Sequence, residues 1–366
     1  MKAFGKILGL VLLGLLLIIV ALGFALSHLF DPNDYKDEIR QIARDKAHIE
    51  LTLNGDIGWS LFPWLGLELH DASVATLAAP TQPFADLQML GLSVRVLPLL
   101  RKEVQMSDVR VEGLNLRLTR DKDGHGNWQD IGKPATAATA PTAGTEPAAA
   151  SKPDSVSQPL KLDIDSLTVN NARVEYNDEQ SGKQFSAESI QLSTGPVHEA
   201  TSIPVKLTAF LGTNQPVMRV KTEVDGKLRF DRVLKRYQFE DMKVTGEASG
   251  EPLLGKTMTF AAQGQILVDL AANVAEWSGL KVSANQLRAL GELKANSLDT
   301  TPQISGGLSI AQLDLARFLD SIGHPLPAMA SGSLSKVELV SRLSGTPTSV
   351  TLDELNLKVD DSTFTG

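Results

Sequence analysis

Residues 107–119 read SDVRVEGLNLRLT, and apolar side chains take every second position on each side of a single glycine. A period of two is the pattern of a β-strand with one apolar face and one wet face. Residues 165–177, DSLTVNNARVEYN, repeat the pattern at an offset of 58. Val109 aligns with Leu167, Val111 with Val169, Leu116 with Val174, Leu118 with Tyr176, and Gly124 with Gly182. Gly113 falls on Asn171, two residues that tolerate positive φ, where a bulge would reverse the parity of the faces. Both copies run into acidic, Gly-containing hairpin signals, DKDGHGN and NDEQSGK. A repeat of this kind predicts a fold that grows by adding similar strands.

Working outward, IELTLNG (49–55), LKLDIDSLTV (160–169), MRVKTEV (218–224), MTFAAQGQILVDL (258–270) and LNLKV (355–359) alternate in the same way. No long helical patterns intervene, so a βαβ parallel fold is not expected. The expected class is mainly β, an extended, curved antiparallel sheet with a few short helices. One helix is expected over NDYKDEIRQIARDKA, with Tyr35, Ile39, Ile42 and Ala43 as its apolar stripe and Asp34 and Asp37 in its first turn. A helical turn is expected at Leu97–Lys102. Another helix is expected at Leu315, Phe318, Leu319 and Ile322, closed by Gly323.

Residues 7–26, ILGLVLLGLLLIIVALGFAL, carry no charge. At 1.5 Å per residue they span about 30 Å, the thickness of a bilayer's hydrocarbon core. A cleaved signal peptide is the competing reading, with Ala21, Gly23 and Ala25 as a small-residue cleavage site, but its apolar region is usually only about 7–15 residues. Lys2 and Lys6 precede the run and Asp31 and Asp34 follow it, although Lys36, Arg40 and Arg44 come soon after. The charge bias places the N-terminus in the cytoplasm and the rest of the chain beyond the membrane. The expected organisation is therefore a cytoplasmic tip and anchor at 1–30, a helix and the start of the sheet at 31–133, an Ala/Thr/Pro-rich linker at 134–159, and a continuing sheet at 160–366.

Charge and composition exclude several functions. The chain has 366 residues and a net charge of −8, with no basic run of the kind that phosphate backbones need. It has no cysteine, which rules out disulfides, thiolate metal sites and a Cys nucleophile. GEPLLGKT at 250–257 fits the P-loop expression, and the apolar ILVD at 266–269 imitates the strand and Asp that would hold magnesium. A P-loop needs a following helix, whereas MTFAAQGQILVDL alternates as a strand, so a hairpin turn is the reading adopted and no nucleotide is expected. His28, His48, His70, His125, His198 and His324 show no metal-ligand spacing, and each reads as a structural residue. Asp121, Asp123 and Asn127 around Gly124 lack the order and the later Glu of a calcium loop, and read as a hairpin tip. Trp59, Phe62 and Trp64 are read as packing on the sheet, with a bilayer-surface role as the alternative. No catalytic, cofactor or metal site is assigned, and no enzyme is expected.

The uncharged anchor, then FDPNDYKDEIRQIA, LTLNGDIGWSLFPWLGLELHDASVATL and VRVLPLLRKEVQMSDVRVEGLNLRLTRDKDGHGNW, resembles the start of AsmA-family proteins. The closing LNLKVDDSTFTG is similar to a segment recurring in that family. The spacing of Gly55, Trp59, Pro63 and Trp64 with Gly124–Trp128 carries the resemblance. It implies a periplasmic protein held in the inner membrane, with a long sheet bent into a gutter whose apolar interior moves phospholipids toward the outer membrane. The expected partners are phospholipid acyl chains, the inner membrane and envelope proteins. An anchored scaffold or assembly factor for outer-membrane proteins is the second reading, and an open rather than closed sheet separates the two. Candidate groove residues are Val109, Val111, Leu116, Leu118, Leu167, Val169, Val174 and Tyr176. The chain also stops beside an alternating strand with no closing helix, so the 366 residues are expected to be the front of a longer protein.

Overall fold

The computed structural model describes residues 31–60, 65–94, 106–129, 131, 163–330, 332–346 and 348–366. The anchor at Ile7–Leu26, the turn at Leu97–Lys102, Phe62, Trp64 and the linker at 134–159 lie outside the described residues. Among the described residues, no helix is long and apolar enough to cross a membrane. The fold is mainly β and divides into two compact units, Met1–Glu112 with Trp128–Thr139, and Gly113–Asn127 with Ala140–Gly366.

The first unit is a small antiparallel sheet. Strands β1 (Ile49–Leu53) and β2 (Ile57–Ser60) pair with the two halves of β3 (Leu65–Thr76). Next come β4 (Ala85–Val94) and β5 (Met106–Glu112). Leu53, Ile57, Leu67, Leu69, Ala72 and Leu87 gather on one face, with Leu90 and Leu92 opposite Leu69 and Leu67, and left-handed Asp71 (φ 46°) switches the parity between Leu69 and Ala72. Trp59 lies half-buried opposite Leu67 on the same face.

A 3₁₀ turn (Pro32–Tyr35), helix α1 (Lys36–Ile42) and a π turn (Ala43–Ala47) form one continuous helical segment, capped by the Asp31 carboxylate and ended by left-handed His48. Ile39 packs on the buried cluster Leu53–Ile57–Ala72. The expected four-residue stripe is corrected: Tyr35 and Ile42 are 46% and 60% exposed, because so short a helix turns only its Ile39 side to the sheet. The segment also serves the sheet edge. The Asn33 side chain accepts from Ile57 N at 2.9 Å and donates to Ile57 O at 3.1 Å, and Arg40 Nη2 donates to Leu53 O at 3.3 Å. These bonds satisfy backbone groups of β1 and β2 that no strand pairs.

The second unit begins with β6 (Asn115–Arg120), which pairs parallel with β8 (Ser166–Asp178). The expectation of an all-antiparallel sheet is therefore corrected. β6 is the second half of the first repeat and β8 is the second repeat, and the connection between them is long enough for both to run in one direction. Their register is the sequence offset itself, Leu116 beside Val174 and Leu118 beside Tyr176. Gly113 and Asn171 have φ of 62° and 51°, the left-handed conformation expected of both. A separate two-stranded ribbon joins β7 (Asp163–Ile164) to β10 (Val197–His198).

From β8 the chain meanders antiparallel. The strands are β9 (Lys183–Thr194), β11 (Ile203–Asn214), β12 (Val217–Asp231), β13 (Arg236–Gly250), β14 (Thr257–Asp269) and β15 (Val274–Ala284). β16 (Leu287–Asn296), β17 (Gln303–Leu313), β18 (Val337–Thr346), β19 (Ser349–Val359) and β20 (Ser362–Thr365) complete it. Each pairs with its neighbour in this order. Strands this long hold their face only if bulges correct the twist. Val244 and Phe239, five residues apart, pair with Val224 and Leu228, four apart, and the surplus residue is taken up around Asp241 at φ 51°.

Helix α2 (Leu315–Ser321) follows β17, with the Asp314 carboxylate accepting from Arg317 N and Gly323 closing it at φ 86°. The P-loop-like segment is the connection between β13 and β14. A 3₁₀ turn (Glu251–Leu253) leads through left-handed Leu254 and Gly255 into a strand. His324 Nε2 lies 2.7 Å from Pro252 O and Asn285 Nδ2 donates to Ser321 Oγ at 2.9 Å, which ties α2 to the neighbouring turns.

Candidate functional site

Paired residues in a ladder share a face. Followed strand by strand, one row of the second unit is Val169, Leu192, Leu207, Val224, Val244 and Ala262. It continues through Val282, Ala289, Ile310, Leu339, Leu357 and Phe364. Each of the twelve positions is apolar, and at about 4.8 Å per strand the row extends about 50 Å. Ala289 is buried, Phe364 is exposed and the other ten are half-buried. A second row on the same face runs Ile203, Leu228, Phe239, Ile266, Trp277, Leu293, Gly306, Leu343 and Leu352.

One residue along each strand, the opposite face is polar for most of its length. The row beside the first reads Thr168, Ser193, Lys206, Asp225, Lys243, Gln263 and Lys281 before Leu290, Ser309 and Val340. Lys206, Asp225 and Lys243 alternate in sign across it, and Lys227 bonds Asp241 at 2.7 Å on the same side. One face is thus apolar along this row and the other largely polar.

Among the described residues of the unit, the run of pairings begins with β6 beside β8 and ends with β20 beside β19. Among the described residues, the one cluster of fully buried apolar side chains is in the first unit. The apolar face of the second unit is half-buried at most positions of the first row, and Ile203 in the second row is fully buried.

The sequence-predicted residues lie on three strands, β5, β6 and β8. Val109 and Val111 belong to β5 of the first unit, opposite Leu92 and Leu90. Leu116, Leu118, Leu167, Val169, Val174 and Tyr176 belong to the second unit and are half-buried. Val174 and Tyr176 line an apolar cavity of about 350 Å³ with Phe185, Ala187, Leu211 and Val220. The Tyr176 and Phe185 rings stand 6.1 Å apart at 43°. Most ladder residues, from Leu192 to Leu357, escaped the sequence reading. Their alternation was visible, but which residue neighbours which across strands is a matter of register.

The perturbed carboxylates of the second unit close turns. The Ser181 hydroxyl and the Gln180 and Ser181 N–H groups hold Asp178 below the usual range. Arg232 does the same to Glu199, and the Ala272 N–H with the Arg236 guanidinium to Asp269. Asp121 accepts from the N–H groups of Asp123 and His125, so the DKDGHGN segment is a turn tied to its own backbone. Among the described residues, no three His, Asp or Glu side chains gather as a metal site.

A stretch of 105 residues is 30% identical to Protein AsmA of Escherichia coli (strain K12), covering 29% of this chain and 17% of that protein. No solved structure matches the chain. The AsmA family matches across residues 1–366, and the chain belongs to that family.

Proposed function

We propose that this chain binds phospholipid acyl chains along the apolar face of its second unit and conducts them away from the membrane that holds its N-terminus. The observation that carries the reading is the unbroken apolar row over twelve strands, Val169 to Phe364, backed by a largely polar row one residue away. With its companion row, this face measures on the order of 1,000 Å² from ordinary strand spacings. Soluble monomers rarely leave more than a few hundred Å² of contiguous apolar surface to water. Acyl chains satisfy such a face because they need neither hydrogen bonds nor fixed positions, and can slide from one strand to the next. Family membership and the uncharged segment Ile7–Leu26 support an inner-membrane anchor, a periplasmic sheet and a role in building the outer membrane. The reading assigns the protein no catalytic step.

Photo-crosslinking side chains placed singly at Val224 and Val244 should capture phospholipid in cells. The same groups at Asp225 and Lys243, one residue along on the other face, should not. Equal capture at both pairs would remove the groove from the account.

A further inference from the structure

Three neighbouring turns carry a second apolar feature, at the strand ends far from α2. The hairpin between β12 and β13 exposes Val233 by 83% and Leu234 by 56%, and the next turn exposes Leu270 by 47%. The turns are bonded together: Leu270 N donates to Lys235 O at 3.0 Å, and Arg232 N donates to Glu199 Oε1 at 2.8 Å. Exposing two adjacent aliphatic side chains at a hairpin tip has no folding benefit, since a polar turn would form as well.

We propose that the Val233–Leu234 tip, with Leu270 beside it, is a wedge that enters the interfacial layer of a lipid bilayer. The wedge stands whether or not the apolar face conducts lipid. Backbone bonding is the second observation that points to lipid. Leu234 N donates to Asp231 Oδ1 and Ala272 N to Asp269 Oδ1, both at 2.8 Å, in addition to the two bonds above. Four N–H groups of these turns therefore already have protein partners, which is what a segment needs before it leaves water for lipid.

Area argues against a protein as the occupant. A stable protein interface takes about 800 Å² per partner, and two or three side chains at a tip fall far short of that. A bilayer rewards each inserted side chain without requiring a matching shape. Charge sets the character of the contact. Arg232 is paired with Glu199 and Arg236 with Asp269, while Asp231 holds the turn, so Arg232, Lys235 and Arg236 are balanced by three carboxylates. Insertion is thus driven by the apolar side chains, with little dependence on salt or on anionic lipid. Just inside the tip, Phe230 pairs with Tyr237 on the apolar face, a place where a lipid drawn from the bilayer would first meet the sheet.

The chain has no cysteine, so one introduced thiol can be labelled without background. The full chain, held in nanodiscs, would carry an environment-sensitive fluorophore on Val233→Cys or, as control, on Ser181→Cys in the polar turn at the other strand ends. Vesicles of phosphatidylcholine, or of phosphatidylethanolamine with phosphatidylglycerol, containing spin-labelled phospholipid are then added. Quenching at position 233 with both vesicle types, and none at 181, is the expected result. Val233→Ser with Leu234→Ser should lower nanodisc–vesicle co-flotation about tenfold at unchanged thermal stability. No quenching at 233, equal quenching at both positions, or undiminished co-flotation of the double variant would each overturn the wedge. Loss of co-flotation only in high salt would overturn the apolar mechanism.

Discussion

Ala262 stands midway along the apolar row, between Val244 on β13 and Val282 on β15, and Gln263 is the next residue on the same strand but on the other face. Introducing Asp at each position delivers the same charge to two solvents. At 263 the carboxylate sits between Lys243 and Lys281, fully in water, and should be neutral or slightly stabilising. At 262 it must keep its hydration in the middle of the row, because an unpaired charge does not enter hydrocarbon. An acyl chain crossing that strand then surrenders contact over about three methylenes. At about 0.8 kcal/mol for each buried methylene, the loss is about 2.4 kcal/mol, or roughly fifty-fold in occupancy. Protein stability should change far less, since Ala262 is only half-buried and the new side chain can reach solvent.

The assay is phospholipid per mole of purified protein, by mass spectrometry after mild detergent extraction, with thermal unfolding measured alongside. Ala262→Asp should emerge nearly stripped of lipid and Gln263→Asp loaded like the parent. Equal lipid in both variants would show that the row does not hold acyl chains. Equal loss in both would assign the effect to net charge rather than to the face.

Asn33→Ala should lower the stability of the first unit by about 1–2 kcal/mol, read as a lower melting temperature, because Ile57 N and O both lose their partner at the edge of β2. Gly246→Ala should cost about 1–3 kcal/mol by chemical denaturation, since a Cβ there would meet Lys221 O at 2.3 Å and the Phe260 ring at 2.5 Å. Asp360 accepts from the N–H groups of Leu334, Ser335 and Lys336, and the Leu334 bond leads in holding its carboxyl below the usual range. A depressed carboxyl stabilises the fold above its unfolded value and ceases to do so as the pH falls through its folded one. Hydrogen-exchange protection factors at residues 334–336, corrected for the intrinsic pH dependence of exchange, should therefore be high at neutral pH and fall only in strong acid, and Asp360→Asn should remove that fall.

Local chemistry made much of this fold legible. Period-two alternation marked the strands, Gly113 and Asn171 marked the bulges, and the 58-residue repeat, which predicted growth by similar strands, coincides with the register in which β6 and β8 lie side by side. The P-loop-like segment was readable as a turn because strand alternation follows it. The parallel sense of β6 and β8 was not readable, because a period of two says nothing of chain direction. Nor was the exposure of Ile42, because helical periodicity identifies a stripe without saying how much of it the sheet will meet.

The amino-acid sequence by itself determined that the chain is mainly β and that each strand has an apolar and a polar side, since both follow from side chains pointing alternately across the backbone. Only the tertiary structure decided that Leu207, Val244, Val282 and Leu339, on four different strands, belong to one continuous row. A slip of one residue in any pairing would turn that strand's apolar side chains to the wet face. Register is set jointly by turns and bulges at both strand ends, through hydrogen bonds between residues distant in the chain, and no local stretch contains that information.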